Sequence, residues 1–123
     1  MSTLLGLRTA LYPAPDLARA KAWYTQVLEQ APYFDEPFYV GFEVGGFELG
    51  LLPDATPGST GPQPMWGVAN ADAACARLLA LGATALEAVK EVGGGIKVAA
   101  VTDPFGNRLG IIENPTFDLS KLR

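Results

Sequence analysis

The 123-residue chain contains no histidine at all and a single cysteine, Cys75. The first absence removes the commonest general base, the Ser–His and Cys–His nucleophile pairs, and the commonest metal ligand. The second rules out an internal disulfide and fits a reducing cytoplasm. Basic clusters are missing too. Nine Lys and Arg stand against thirteen Asp and Glu, a net charge of −4, which argues against a nucleic-acid partner. No apolar run approaches the roughly 18 residues a membrane helix needs, and the first residues lack a basic stretch followed by a hydrophobic one. A protein that neither spans a membrane nor is secreted is expected, located in the cytoplasm. Only 18% of residues are charged and 49% are apolar, enough for a core in one domain.

What is present is organised around residues 98–115. Two apolar, β-branched runs, 98–102 and 109–112, flank Asp103-Pro104-Phe105-Gly106-Asn107. That segment holds what a chain reversal needs: an Asp that accepts from backbone two residues on, a Pro that presets φ, and a Gly that tolerates positive φ. The chain also repeats itself. Gly46-Phe-Glu-Leu-Gly-Leu-Leu52 aligns without a gap on Gly106-Asn-Arg-Leu-Gly-Ile-Ile112, sixty positions on, and the helix-opening segments after Asp16 and Asn70 echo one another. One strand–helix–three-strand unit occurring twice is an internal duplication.

In order, the pattern predicts a strand over 4–12 closed by Pro13 and Pro15, and a helix capped by Asp16 and ended by Pro32. In that helix Leu17, Ala20, Tyr24, Val27 and Leu28 recur at helical spacing beside Trp23. Strands follow at about 33–35, 38–44 and 47–52, the last two joined by Gly45-Gly46. Residues 54–64, rich in Pro, Gly, Ser and Thr, link the halves. The second half gives a strand at 65–68, a helix at 71–81 between Asn70 and Gly82, and strands at 85–92, 96–102 and 107–113. Module one spans about 1–53, module two about 65–115, and 116–123 is a polar surface tail. The Gly93–Gly95 run is no phosphate loop, because no lysine follows in the required spacing. Trp23, Tyr24, Trp66 and Cys75 fall on faces expected in the core.

Asp16-Leu17 with Trp23-Tyr24, followed by the Asp103–Asn107 turn, resembles the vicinal oxygen chelate superfamily of glyoxalase I, bleomycin-resistance proteins and extradiol dioxygenases. The resemblance covers about residues 1–115. It implies an α+β fold in which two βαβββ modules form one domain, an eight-stranded cup-shaped sheet with helices outside. It also implies a ligand in the cup, often one divalent metal, and a homodimer. The family's metal-ligand positions fall on Thr9, Gly50, Gln63 and Gly110, which offer neither imidazole nor carboxylate. A two-residue shift of register would bring in Glu48, but one carboxylate does not make a centre. No metal and no cofactor are therefore expected.

Strand alternation sorts the remaining side chains. If Gly50 and Gly110 face the cup, so do Glu48, Leu52, Arg108 and Ile112, while Leu49, Leu51, Leu109 and Ile111 face the helices. The glycines then open the floor for something bulky. Glu48 and Arg108, at equivalent repeat positions, could pair across the pseudo-twofold or hold polar ends of a ligand. The expected ligand-binding residues are Thr9, Tyr39, Glu48, Gln63, Met65 and Arg108, with no catalytic residue assigned. These expectations favour a metal-free small-molecule-binding protein over an enzyme. The alternatives are a metal-dependent lyase, isomerase or dioxygenase of the same superfamily, and a metal-free enzyme or a module acting through its dimer partner.

Overall fold

A computed structural model describes residues 7–58 and 60–121. Module one comprises β1 (Thr9–Pro13), α1 (Leu17–Leu28), β2 (Phe34–Glu36), β3 (Tyr39–Val44) and β4 (Phe47–Leu52). Module two repeats the order with β5 (Met65–Gly67), α2 (Ala71–Ala80), β6 (Thr84–Gly93), β7 (Ile96–Thr102) and β8 (Arg108–Glu113). The eight strands divide into two four-stranded sheets, β1-β4-β3-β2 and β5-β8-β7-β6. In each, the first strand runs parallel to the last and the other pairs are antiparallel. The duplication is thus a duplication of topology.

Local chemistry explains the elements. Asp16 accepts from the Arg19 N–H and Asn70 from the Ala73 N–H, so each helix begins where a side chain satisfies an orphan donor. The first helix stops before Pro32: Glu29 adopts a left-handed cap one residue past Leu28. Gly45 and Gly46 both have positive φ, +59° and +90°, as a two-residue turn matched to strand twist requires.

Several boundaries differ from the sequence reading, and one difference is instructive. Pro13 does not close the first strand from outside but is its final residue, opposite Leu52. It is tolerated because β1 is an edge strand: Ala14, one residue on, donates to the Leu52 carbonyl at 2.7 Å, so alternation turns the Pro13 nitrogen away from the ladder. Residues 4–6 of the expected strand lie outside the described residues. The strand placed at 33–35 runs from Phe34 to Glu36.

The helix faces of both sheets close over one core. Tyr12, Val40, Phe42, Leu49 and Leu51 from module one join Ala99, Val101, Leu109 and Ile111 from module two, with Ala20, Trp23, Tyr24 and Leu78 from the helices. Trp66 and Cys75 pack half-buried against this core. The modules are pinned by polar contacts inside the seam. The Trp66 indole donates to the Tyr12 hydroxyl at 2.9 Å and the Trp23 indole to the Leu81 carbonyl at 2.8 Å.

The Asp103–Asn107 turn completes the seam. Asp103, only 2% exposed, accepts through Oδ1 from the Phe105 and Asn107 N–H groups. Its Oδ2 accepts from the Tyr24 hydroxyl at 2.7 Å. Asn107 Nδ2 donates to the Pro13 carbonyl at 2.6 Å. Burial, reinforced by the Asp103 charge, pushes the Tyr24 phenol well above its usual range, so it remains a donor. The motif that carries the resemblance therefore fastens one module to the other.

Candidate functional site

With their helix faces buried, the sheets leave an opposite, open face. On sheet one the pairings Thr9–Glu48, Leu11–Gly50, Gly41–Gly50 and Glu43–Glu48 place all these residues on that face. On sheet two Met65–Gly110, Ala100–Gly110 and Thr102–Arg108 do the same.

The open face of module one holds a concavity of about 450 Å³ lined by Arg8, Thr9, Tyr33, Glu43, Phe47 and Glu48. On its wall both Glu48 oxygens are engaged: Tyr33 donates to Oε1 and Tyr39 to Oε2. Burial first, and the Glu48 hydrogen bond next, push the Tyr39 phenol far up. For the more exposed Tyr33 the Glu48 hydrogen bond is the largest cause of a rise. Both phenols stay protonated at neutral pH and present a carboxylate held by two fixed donors. Glu43 turns back to accept from the Gly46 N–H at 2.6 Å.

Two glycines make this arrangement possible. A Cβ on Gly41 would lie 3.2 Å from Glu48 Oε2, 3.2 Å from Tyr39 Cε2 and 3.4 Å from Tyr33 Cε1, so the three side chains converge above it. A Cβ on Gly50 would lie 2.7 Å from Tyr39 Cζ, because the phenol lies across that residue. On module two, a Cβ on Gly110 would stand 2.6 Å from Met65 Sδ and 3.2 Å from the Pro64 carbonyl. The floor opened by Gly50 and Gly110 is therefore filled by the chain's own Tyr39 and Met65.

The six residues expected to bind ligand divide between the two modules. Thr9, Tyr39 and Glu48 meet on module one. Met65 and Arg108 belong to the open face of module two, and Gln63 is exposed just ahead of β5. Arg108 does not pair with Glu48. Its two terminal nitrogens each donate at 2.9 Å to one oxygen of Glu87, and Nε is buried without a partner. A register shift between Ala85 and Glu87 sets Glu87 opposite Ala100, on the open face, where it pairs with Arg108. Sequence reasoning missed Tyr33, Gly41 and Glu87. Tyr33 precedes its strand, where alternation gives no direction, and a bulge hides Glu87. Gly41 carried a signal: a glycine inside an otherwise apolar strand marks a close approach.

The donor set does not fit a divalent metal. The fourth-strand positions are glycines covered by a phenol and a thioether, and Thr9 and Gln63 supply neither imidazole nor carboxylate. Among the described residues no three Asp, Glu or Cys side chains gather in a metal-binding group.

The family model of the Glyoxalase/Bleomycin resistance protein/Dioxygenase superfamily matches residues 6–111. The chain belongs to this superfamily. Its architecture is shared with solved members. A glyoxalase-related enzyme from Fulvimarina pelagi is 20% identical with a TM-score of 0.76, over 94% of this chain and 92% of that one. A lactoylglutathione lyase from Agrobacterium tumefaciens is 23% identical with a TM-score of 0.72, over 92% and 98%. A bleomycin resistance determinant encoded on transposon Tn5 is 19% identical with a TM-score of 0.69, over 89% and 98%. At such identities the likeness is one of fold. No curated protein sequence matches the chain significantly. Among the described residues no helix is long and apolar enough to cross a membrane.

Proposed function

We propose that the protein binds a small organic molecule without a metal, on the open face of module one. The observation that carries this reading is the Tyr33–Glu48–Tyr39 cluster, a preorganised carboxylate and two phenols beside a concavity of about 450 Å³, within the usual size of ligand sites. Thr9 lines the concavity with a hydroxyl, Phe47 adds an apolar side chain, and Leu11, 55% exposed, stands on the same open face opposite Gly50. Arg108 and Met65 serve the corresponding face of module two, Arg108 with Glu87 as its counter-ion. No proton transfer or covalent step is assigned.

Homodimerisation belongs to the same reading. The seam contacts within the chain, Tyr12–Trp66, Tyr24–Asp103 and Trp23–Phe105, use the helix sides. The open face of module two keeps Met65 41% exposed, apolar surface away from the module-one site that a second copy would cover. A cytoplasmic location, suggested by the single cysteine, completes it.

A small-molecule screen read by melting shift, with hits followed on the tyrosine ring resonances, tests the reading. Hits should move Tyr33 and Tyr39 and lose affinity in Glu48→Ala. Hits that leave both rings and Glu48→Ala unaffected would remove module one as the site. Elemental analysis should give below about a tenth of a metal equivalent per chain, and sedimentation should give twice the chain mass.

A further inference from the structure

The ligand class can be narrowed, on the reading of module one as a binding face. Phe34 and Phe38 stand edge to face at 6.0 Å, and Phe34 and Tyr39 at 5.9 Å. This aromatic wall is continuous with the cluster above Gly41, since Phe34 is the strand partner of Gly41. Phe34 and Phe38 remain 38% and 66% exposed, surface that gains nothing from water. Glu36, paired with Tyr39, shares the face, and Glu43 and Glu48 line the concavity against one guanidinium, Arg8.

From this juxtaposition of a clamped carboxylate and a stand of rings, we infer that module one recognises an organic cation: a quaternary or protonated amine with an apolar body. Ring faces attract cations through their quadrupole and receive the apolar substituents. Each Glu48 oxygen accepts one phenolic hydrogen and keeps a further lone-pair direction for the ligand. An anion of the same shape would meet the carboxylates, and a neutral one would find no charge to match. Because the two phenols are donors held protonated, they fix the carboxylate and do not compete as anions. Gly41 and Gly50 are the residues that make room, so the specificity is written in the backbone as well as the side chains.

The test uses the full chain and three probes sharing one ring: benzyltrimethylammonium, phenylacetate and benzyl alcohol. Calorimetry gives affinity, and Tyr33 and Tyr39 ring resonances give location. Benzyltrimethylammonium should bind at least about tenfold more tightly than either other probe, weaken about tenfold in Glu48→Gln, and be unchanged in Glu91→Gln on β6. Its affinity should also fall steadily as salt is raised, a measurement on the wild-type chain that stands even if Glu48→Gln folds poorly. Phenylacetate or benzyl alcohol binding as tightly as the cation while moving both tyrosines would overturn the cation assignment and leave a small-molecule site in place. Failure of the cation to bind at all overturns it too. The broader reading then falls only if the unrestricted screen also yields nothing at Tyr33 and Tyr39.

Discussion

The two modules share a backbone plan and diverge wherever a side chain leaves it. At matched repeat positions Glu43 answers to Asp103, Glu48 to Arg108 and Gly50 to Gly110. Glu43 and Asp103 both tie their own turn through a backbone N–H, but Glu43 does so exposed and Asp103 buried. Glu48 is held by phenols, Arg108 by a carboxylate. Gly50 is covered by a ring from β3, Gly110 by a thioether from β5. Duplication conserves strand pairing because that depends on alternation. It leaves each open face free to acquire its own chemistry, because nothing in the core depends on it.

The sharpest way to break the comparison is at the turns. Asp103→Ala strands two backbone donors and the Tyr24 hydroxyl inside the seam and should cost about 3 kcal/mol or more in chemical denaturation. Glu43→Ala, the same change in module one, should cost under about 1 kcal/mol, because water replaces the lost acceptor. Equal costs would mean the seam is not where the stability lies.

Second in size is the floor. Gly110→Ala presses on the Pro64 backbone carbonyl as well as on Met65 and should destabilise by about 1–3 kcal/mol. The atoms nearest a Cβ on Gly50 belong to the Tyr39 phenol, a side-chain end and not backbone. Gly50→Ala should cost less, yet release Tyr39 from Glu48, visible as a shift of that ring resonance.

A third effect is set by pH. The Tyr24 phenol has a folded-state pKa raised above its unfolded value near 10, by burial and then by Asp103. The stability it contributes is complete below about pH 10 and is lost as pH rises further. Denaturation from pH 9 to 11 should show this decline, and Tyr24→Phe should flatten it while costing about 1–2 kcal/mol at neutral pH. Tyr12, raised chiefly by burial, leaves a smaller residual slope.

The smallest effect belongs to Glu87. The Arg108 hydrogen bonds lower its pKa, so its contribution is present above the ordinary carboxylate range and fades as pH falls through the lowered value. Glu87→Gln should remove that weak acid dependence in melting curves. A large change would give the ion pair more weight than its exposure allows.

Much of this was legible in the chain. Gly50 and Gly110 could be set on the open face and Leu49, Leu51, Leu109 and Ile111 on the buried one from a period of two, and the structure buries all four. Asp16 and Asn70 announced their helices as caps. Pro13 misled because the rule against proline holds for a ladder flanked on both sides, and β1 has one neighbour. Alternation gave Glu48 its face without giving it a partner.

The sequence alone determined the duplication, the two faces of each sheet and the absence of any histidine, since these are properties of residue type and spacing. Tertiary structure decided which side chains meet there. Tyr39 crosses Gly50 because β3 lies beside β4, Met65 crosses Gly110 because β5 lies beside β8, and Glu87 reaches Arg108 because a bulge in β6 shifts its register. Strand order and register are set by the packing of the whole chain, and a local pattern fixes the face of a residue but not the neighbour that leans over it.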